Sequence, residues 1–360
     1  MQIRVLTRIC IFWLRILQNR AIIKWFIFRK KEWIPVKKWR RIGAAVLAAL
    51  CLALCAGCSS RRSELRFGAG GTGGNYYAYA NALGQLLEEQ SDELRVDVKA
   101  TAGSAANLRL LSENFLQLGI AQSDTLLDAA NGDGAFAGQP LNGYSAVAGL
   151  FMEECQLVVA ADSDIYSVGD LYGKRVSLGE EDSGVVRNAE EILLSGSLTP
   201  ELVQASYLSF TDSAAALKNG ELDAFFCTAS APTTAVAELA RECDIRVLSL
   251  DEQTVEGLMR LYPCYTRCVI PAGTYQGQAE DVTTVGVKAI LVADDELPAA
   301  TVSKLLETLF DNADQMQYST GANVRPDLEF ATQDIPIAFH SGAEQFYAAR
   351  NVDTGEGRKG

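Results

Sequence analysis

An α/β fold with mainly parallel sheets is what the sequence predicts for everything beyond the first 58 of its 360 residues. Three observations carry that expectation. From Glu64 onward, short apolar runs alternate with stretches of helical periodicity. Several of those runs end in a small polar turn that opens a helix. About 300 residues remain, enough to bury two separate cores.

The elements follow in chain order. "ELRFGAG" reads as a strand and "NYYAYANALGQLLEEQ" as a helix; "LRVDVKAT" is a strand and "SAANLRLLSEN" a helix; "LQLGIAQS" is a strand and "DTLLDAAN" a helix. "YSAVAGLFMEECQLVVAAD" is long enough for two consecutive strands. Next come the strand "RVSLGE", the helix "VVRNAEEILLSG", the strand "ASYLSF", the helix "DSAAALKNG", the strand "LDAFFCT" and the helix "TTAVAELAREC". "LPAATVSKLLETLFDNADQMQ" reads as one long amphipathic helix that packs on the body, and the tail 351–360 as frayed. Strand–helix alternation of this kind places parallel strands between flanking helices.

Five strand-to-helix turns are rich in Gly, Ser, Thr and Asn: 68–75, 101–107, 121–124, 179–184 and 228–234. Any one of them reads as an ordinary helix N-cap. Five together point to a polar site, because ligands of open α/β sheets sit outside the carboxyl ends of the strands, where helix starts present free N–H groups.

Gly68, Gly70 and Gly73 match G-x-G-x-x-G, the spacing of a dinucleotide-binding turn. That reading needs an acid at the end of the second strand to hold the ribose. Asp97 instead lies in mid-strand, and the strand ends in Ala100 and Thr101. The turn 70–75 is better read as a backbone nest for a smaller anion.

Groups for catalysis or metal binding are scarce. There is no G-x-S-x-G elbow and no H-E-x-x-H, and the single histidine, His340, is read as a structural cap. No cofactor, metal or catalytic residue is expected. Beyond Cys58, the five cysteines Cys155, Cys227, Cys243, Cys264 and Cys268 cannot all pair with one another. In an extended segment Cys264 and Cys268 would be roughly 13 Å apart, too far to bridge. They are read as mostly buried small hydrophobes, with a disulfide to Cys243 left open.

The first 58 residues read as an address, not as fold. The apolar run 42–57 suits the core of a signal peptide, "KKWRR" (37–41) precedes it, and Cys58 follows small residues. This resembles the lipobox of bacterial lipoproteins, with Cys55 where Leu is usual, and implies lipid attachment at Cys58 and an extracytoplasmic, membrane-anchored body. An uncleaved anchor is the alternative. Residues 1–35 read either as a basic amphipathic surface segment or, preferably, as lying upstream of a start near Val36. These 58 residues hold 12 of the 32 basic residues and one of the 45 acidic ones, leaving the remainder at a formal charge of −24. Nucleic acid is a poor partner for such a body, and an anionic ligand would have to be held by local dipoles.

"GAGGTGGNYYAYANALGQLL", "TAGSAANLRLL", "GIAQSD", "KRVSLGEEDSGVVRNAEEIL" and "VIPAGTYQGQAEDVTTVGVKAILVADDEL" occur in this order. Together they resemble the TAXI-type solute-binding proteins of TRAP transporters, over nearly all of 64–350. The segment 270–285 is the most specific part. The resemblance implies a two-lobed periplasmic-binding-protein-like fold, type II-like, that closes by a hinge over a small carboxylate or amino-acid ligand and hands it to TRAP-type membrane subunits. With the chain crossing between lobes near 154–161 and again near 268–285, lobe I is expected at 59–156 and 270–350 and lobe II at 157–269. By position the resemblance assigns ligand binding to Gly73, Asn75, Tyr76, Gly103, Ser104, Asn107, Gln122, Ser123, Ser183, Gly184, Ser230 and Pro232. Asn75 stands where Thr is common, and 181–185 replaces a G-S-G-T-like turn. Arg109 and Arg187, the cations nearest the turns, are expected to face solvent, with pairing to a ligand carboxylate as the alternative. The receptor of an ABC importer or sensor kinase is a second reading. An extracytoplasmic enzyme on the same scaffold is a third, for which the sequence offers no nucleophile–base pair.

Overall fold

The computed structural model describes residues 63–91, 94–319 and 324–355. Residues 1–62, on which the expected signal segment and the lipid attachment at Cys58 fall, and residues 356–360 lie outside them. No helix among the described residues is long and apolar enough to cross a membrane.

Among the described residues, ten strands form one mixed sheet. In chain order they are β1 (Ser63–Gly68), β2 (Leu94–Lys99), β3 (Leu118–Gln122), β4 (Tyr144–Ala160), β5 (Arg175–Ser177), β6 (Gln204–Ser206), β7 (Ala224–Ala229), β8 (Ile245–Val247), β9 (Thr266–Ile270) and β10 (Val282–Asp294). The path runs β2-β1-β3-β10-β4-β7-β5-β6, with β8 on β4 and β9 on β10. The helices are α1 (Asn75–Gln90), α2 (Ser104–Ser112), α3 (Ser123–Asn131), α4 (Gly184–Ser195), α5 (Phe210–Lys218), α6 (Thr234–Glu242), α7 (Glu252–Leu261), α8 (Ala299–Asp311), α9 (Ala313–Ser319), α10 (Leu328–Thr332) and α11 (Ser341–Ala348).

The α/β architecture predicted from the alternation is borne out. Parallel pairing holds at both flanks, where β1 joins β2 and β3, and β5 joins β6 and β7. The centre is antiparallel: β4 and β10 pair with each other and with every strand beside them in that sense. One long strand leaves the first half of the sheet and the other returns to it, so the two must run in opposite directions. The run 144–162 is therefore one 17-residue strand and not two consecutive ones. The partner change falls at Glu154, which pairs with both Gly286 of β10 and Ala229 of β7.

Side-chain alternation explains the apolar runs. On β10, Ala289, Leu291 and Ala293 enter one core while Ile290 and Val292 enter another. On β7, Ala224 and Phe226 face one way, and Phe225, Cys227 and Ala229 the other. Strands covered on both faces need apolar residues at every position. Helix α1 contributes Tyr76, Tyr79, Ala80, Leu83 and Leu87 to the first of these cores, the spacing of one helical face. Helices α8, α9 and α11 return to the same core through Leu305, Met316 and Phe346. The long helix expected over 297–317 breaks at Asn312, whose amide Nδ2 donates to the Thr308 carbonyl at 2.7 Å.

Candidate ligand-binding site

Three of the predicted turns bring helix starts to one place. Helices α1, α2 and α4 begin after Gly74, Gly103 and Ser183, and no side chain caps the first turn of any of them. The residues at these starts line a cavity of about 60 Å³ together with Gln122, Glu153, Thr228 and Phe210. Beyond Val185 and Phe210 lies a larger pocket of about 550 Å³, bounded by Gly73, Thr101, Glu180, Thr211 and Asp212.

Close approach of the turns dictates their glycines. Gly103 has φ 125°, a conformation that side chains rarely adopt, and a Cβ there would sit 3.6 Å from that of Ser183. A Cβ on Gly184 would collide with the Gln122 amide oxygen. The α2 and α4 turns also bond directly, Ala106 N–H donating to the Asp182 carbonyl at 3.0 Å.

At this cavity, two buried polar atoms lack any protein partner. Gln122 is 2% exposed and Ser183 9%, yet the Gln122 Oε1 and the Ser183 Oγ have no hydrogen bond. Both residues line the cavity. Orphaned buried polar groups are costly and call for an explanation, of which a missing ligand is one. The backbone N–H of Gln122 is satisfied, donating to the Ser104 Oγ at 3.1 Å.

Glu153 of β4 projects into the same space at 2% exposure and accepts from the Tyr76 hydroxyl at 2.5 Å. Burial pushes its carboxyl well above the ordinary range, the Tyr76 bond pulls it back, and Asp124 and Glu154 nearby push it up again. No Lys, Arg or His lines either pocket.

Of the residues assigned from sequence, Asn75, Tyr76, Gly103, Ser104, Gln122, Ser183 and Gly184 line the inner cavity, and Gly73 lines the outer pocket. Four others lie elsewhere. Asn107 is fully buried, its Nδ2 donating to the Ala69 and Ile120 carbonyls at 2.6 and 2.8 Å and its Oδ1 accepting from Thr101. It pins the ends of β1 and β3 together from beneath. The Ser123 Oγ faces the Lys288 N–H of β10. Ser230 belongs to a supporting turn: its hydroxyl donates to the Met152 carbonyl, and its carbonyl accepts from the Asn75 Nδ2 at 2.9 Å. Pro232 follows in that turn, outside both pockets. Tyr275, from the family-like segment 270–285, braces it, accepting from Thr233 N–H at 3.0 Å and donating to the Gln156 Oε1 at 2.5 Å.

Glu153, Phe210, Thr228 and Ala229 line the cavity without having been singled out from the sequence. Thr228 and Ala229 open the turn 228–234, which could have suggested them. Glu153 was signalled only by a charge inside an apolar run.

Of the two cations, Arg187 differs from expectation and Arg109 does not, and the cysteines are mostly buried as expected. Arg187 neither faces solvent nor points at the cavity: it is three-quarters buried and bound to Asp124, Asp128 and Glu191. Arg109 is more open, reaching the Ala135 carbonyl at 2.8 Å and stacking on Phe136. Among the described residues all five cysteines are free, Cys243 included; its thiol faces the Leu239 carbonyl. His340 caps α11, its Nδ1 accepting from Gly342 N–H at 3.1 Å.

Comparison with solved structures finds the alkanesulfonate-binding protein SsuA of Xanthomonas axonopodis pv. citri bound to MOPS, at 16% identity over 79% of this chain and 83% of that one, TM-score 0.45. The periplasmic aliphatic sulphonate binding protein SsuA of Escherichia coli is similar at 18% identity over 80% and 88%, TM-score 0.44. A binding protein component of an ABC phosphonate transporter from Pseudomonas aeruginosa is similar at 11% identity over 72% and 79%, TM-score 0.46. At the level of sequence, residues 67–349 match the NMT1-like family, and the chain belongs to that family.

Proposed function

We propose that this protein is an extracytoplasmic solute-binding receptor, lipid-anchored at Cys58, that captures a small carboxylate-type solute and delivers it to the membrane subunits of a TRAP-type secondary transporter. The observation that carries the binding role is the convergence of three uncapped helix starts on a cavity where Gln122 Oε1 and Ser183 Oγ have no partner. Each helix start offers about half a positive charge and free N–H donors, which suits an anionic group without help from a cation. The TRAP assignment rests on the family-like segments of the sequence. In this reading 59–156 and 270–350 form one lobe and 157–269 the other, with closure by bending where β4 and β10 exchange partners.

A thermal-shift screen of the full chain against carboxylates, sugars, nucleotides and cations tests the binding role. A ligand at a hundred times its Kd adds about 2.7 kcal/mol of stability, which is a readable shift. A selective rise with one class of carboxylate is expected. Silence from every carboxylate with a response to a sugar or a nucleotide would sink the carboxylate reading. Uptake by reconstituted membrane subunits that needs an ion gradient and not ATP is expected; dependence on ATP would assign the receptor to an ABC importer instead.

A further inference from the structure

Resting on that reading, we propose that Glu153 meets the captured anion as a neutral acid: it keeps its proton, donates the O–H to the solute, and so links capture to pH.

The balance of charge in the cavity leads to this. Glu153 enters it at 2% exposure, and no Lys, Arg or His lines either pocket. The groups that face its carboxyl are acids or neutral. Asp124 of α3 and Glu154, the next residue of β4, act on it from nearby. Tyr76 of α1 and Gln122 of β3 bond to it, and the Cys227 thiol of β7 lies within its field. Farther out, Glu180 and Asp212 line the outer pocket. The cations on neighbouring elements are engaged elsewhere. Arg187 of α4 holds Asp124, Asp128 and Glu191, and the Lys288 Nζ of β10 donates to the Phe330 and Gln333 carbonyls at 3.0 and 2.6 Å. An ionised Glu153 would share about 60 Å³ with an anionic solute and no cation, and like charges at such range repel strongly. A neutral Glu153 removes the repulsion and adds a donor.

Hydrogen bonding places the proton. The Tyr76 hydroxyl donates to the Glu153 Oε2 at 2.5 Å, which leaves Oε1 to carry it. Burial lifts the carboxyl well above the ordinary range, Asp124 and Glu154 add to the rise, and the bonds from Tyr76 and Gln122 offset only part of it. A buried acid held neutral in this way is a hydrogen-bond donor. The unpartnered Ser183 hydroxyl and the three uncapped helix starts supply the other donors. The proton stays covalently on Glu153, and none passes to the solute. Where the empty receptor has already ionised, one proton comes from water for each solute bound. Affinity is therefore level while Glu153 is neutral and falls as pH rises through its folded value.

Calorimetric titration of the full chain with pyruvate, succinate and glutamate, at a series of pH values in buffers of unlike ionisation enthalpy, reads affinity and proton uptake together. For a probe that binds, affinity is expected to fall by about tenfold per pH unit on the alkaline side, with up to about one proton taken up per solute. E153Q, whose amide donates but never ionises, is expected to bind severalfold more weakly at acid pH and to show no such fall. Tyr76→Phe removes a bond that favours ionisation and is expected to shift the fall to higher pH. Unliganded melting reports whether each variant folds, and the wild-type proton count needs no variant. Level affinity without proton uptake, or a fall that survives in E153Q and so belongs to another acid such as Glu191, overturns the proposal and leaves carboxylate capture standing. Silence from every probe overturns both.

Discussion

Arg187 on α4 reaches Asp124 on α3 at 2.8 Å, and through this pair two helices from opposite halves of the sheet are joined. The guanidinium also takes Asp128 at 2.5 Å and Glu191 at 3.2 Å. Asn188 donates to the same Asp124 oxygen at 2.7 Å, and Tyr265 donates to Glu191 at 2.5 Å.

Removing the cation should be costly, because Asp124 is fully buried and would lose its counter-ion. Arg187→Ala is expected to destabilise the fold by about 3 kcal/mol, measured by urea unfolding. Adding Asp124→Asn should recover part of that loss, since the orphaned carboxyl goes with it. Additive losses in the double variant would show that the two residues do not act as a pair.

The same cluster sets a pH dependence. Burial raises the Glu191 carboxyl to about 7, against the lowering effects of Arg187 and Tyr265. Its ordinary value is 4.5, so between about 4.5 and 7 the folded state holds a proton that the unfolded state has released. Stability should therefore fall as pH rises through that window. Glu153 is raised as well and contributes in the same direction, so Glu191→Gln should flatten the fall without abolishing it. Unfolding free energies at a series of pH values check this, and an unchanged slope in the variant would rule Glu191 out.

Asn107 and Ser104 are three residues apart on α2 and are expected to fail differently. Asn107→Ala deprives the Ile120 and Ala69 carbonyls of its amide and should cost about 1–3 kcal/mol of stability while leaving ligand affinity nearly unchanged. Ser104→Ala changes the cavity wall and should weaken binding. Paired melting and titration experiments separate the two; loss of affinity in a folded Asn107→Ala would return it to the site.

Most of the framework was legible in the sequence because it depends on local patterns. Alternating apolar periods announce β1, α1, β2 and α2, and Gly-, Ser- and Thr-rich turns announce helix starts. The turns at 68–75, 101–107, 121–124 and 179–184 all contribute to the cavity wall. What escaped depends on distant partners. Nothing around Arg187 reveals that Asp124, 63 residues away, will face it. The apolar run 144–160 could not show that one strand would pass through both halves, and so could not show that Glu153 would face a cavity. The type of Asn107 was right for binding a ligand, but buried carbonyls satisfied it first.

Three consecutive residues of β4 meet the turn 228–234 and the cavity wall. Met152 receives the Ser230 hydroxyl, Glu153 enters the cavity, and Glu154 accepts the Ala231 N–H at 2.9 Å from the other face of the strand. Asn75, at the start of α1, grips the carbonyl of that same Ser230. A strand advances about 3.3 Å per residue, so cavity wall, turn and helix start are fastened within roughly 10 Å of a strand that belongs to both halves of the sheet. Any twist of β4 at this point moves all three in step, like linkages on a common axle: the contact that would feel a ligand is mechanically continuous with the strand about which the halves would turn.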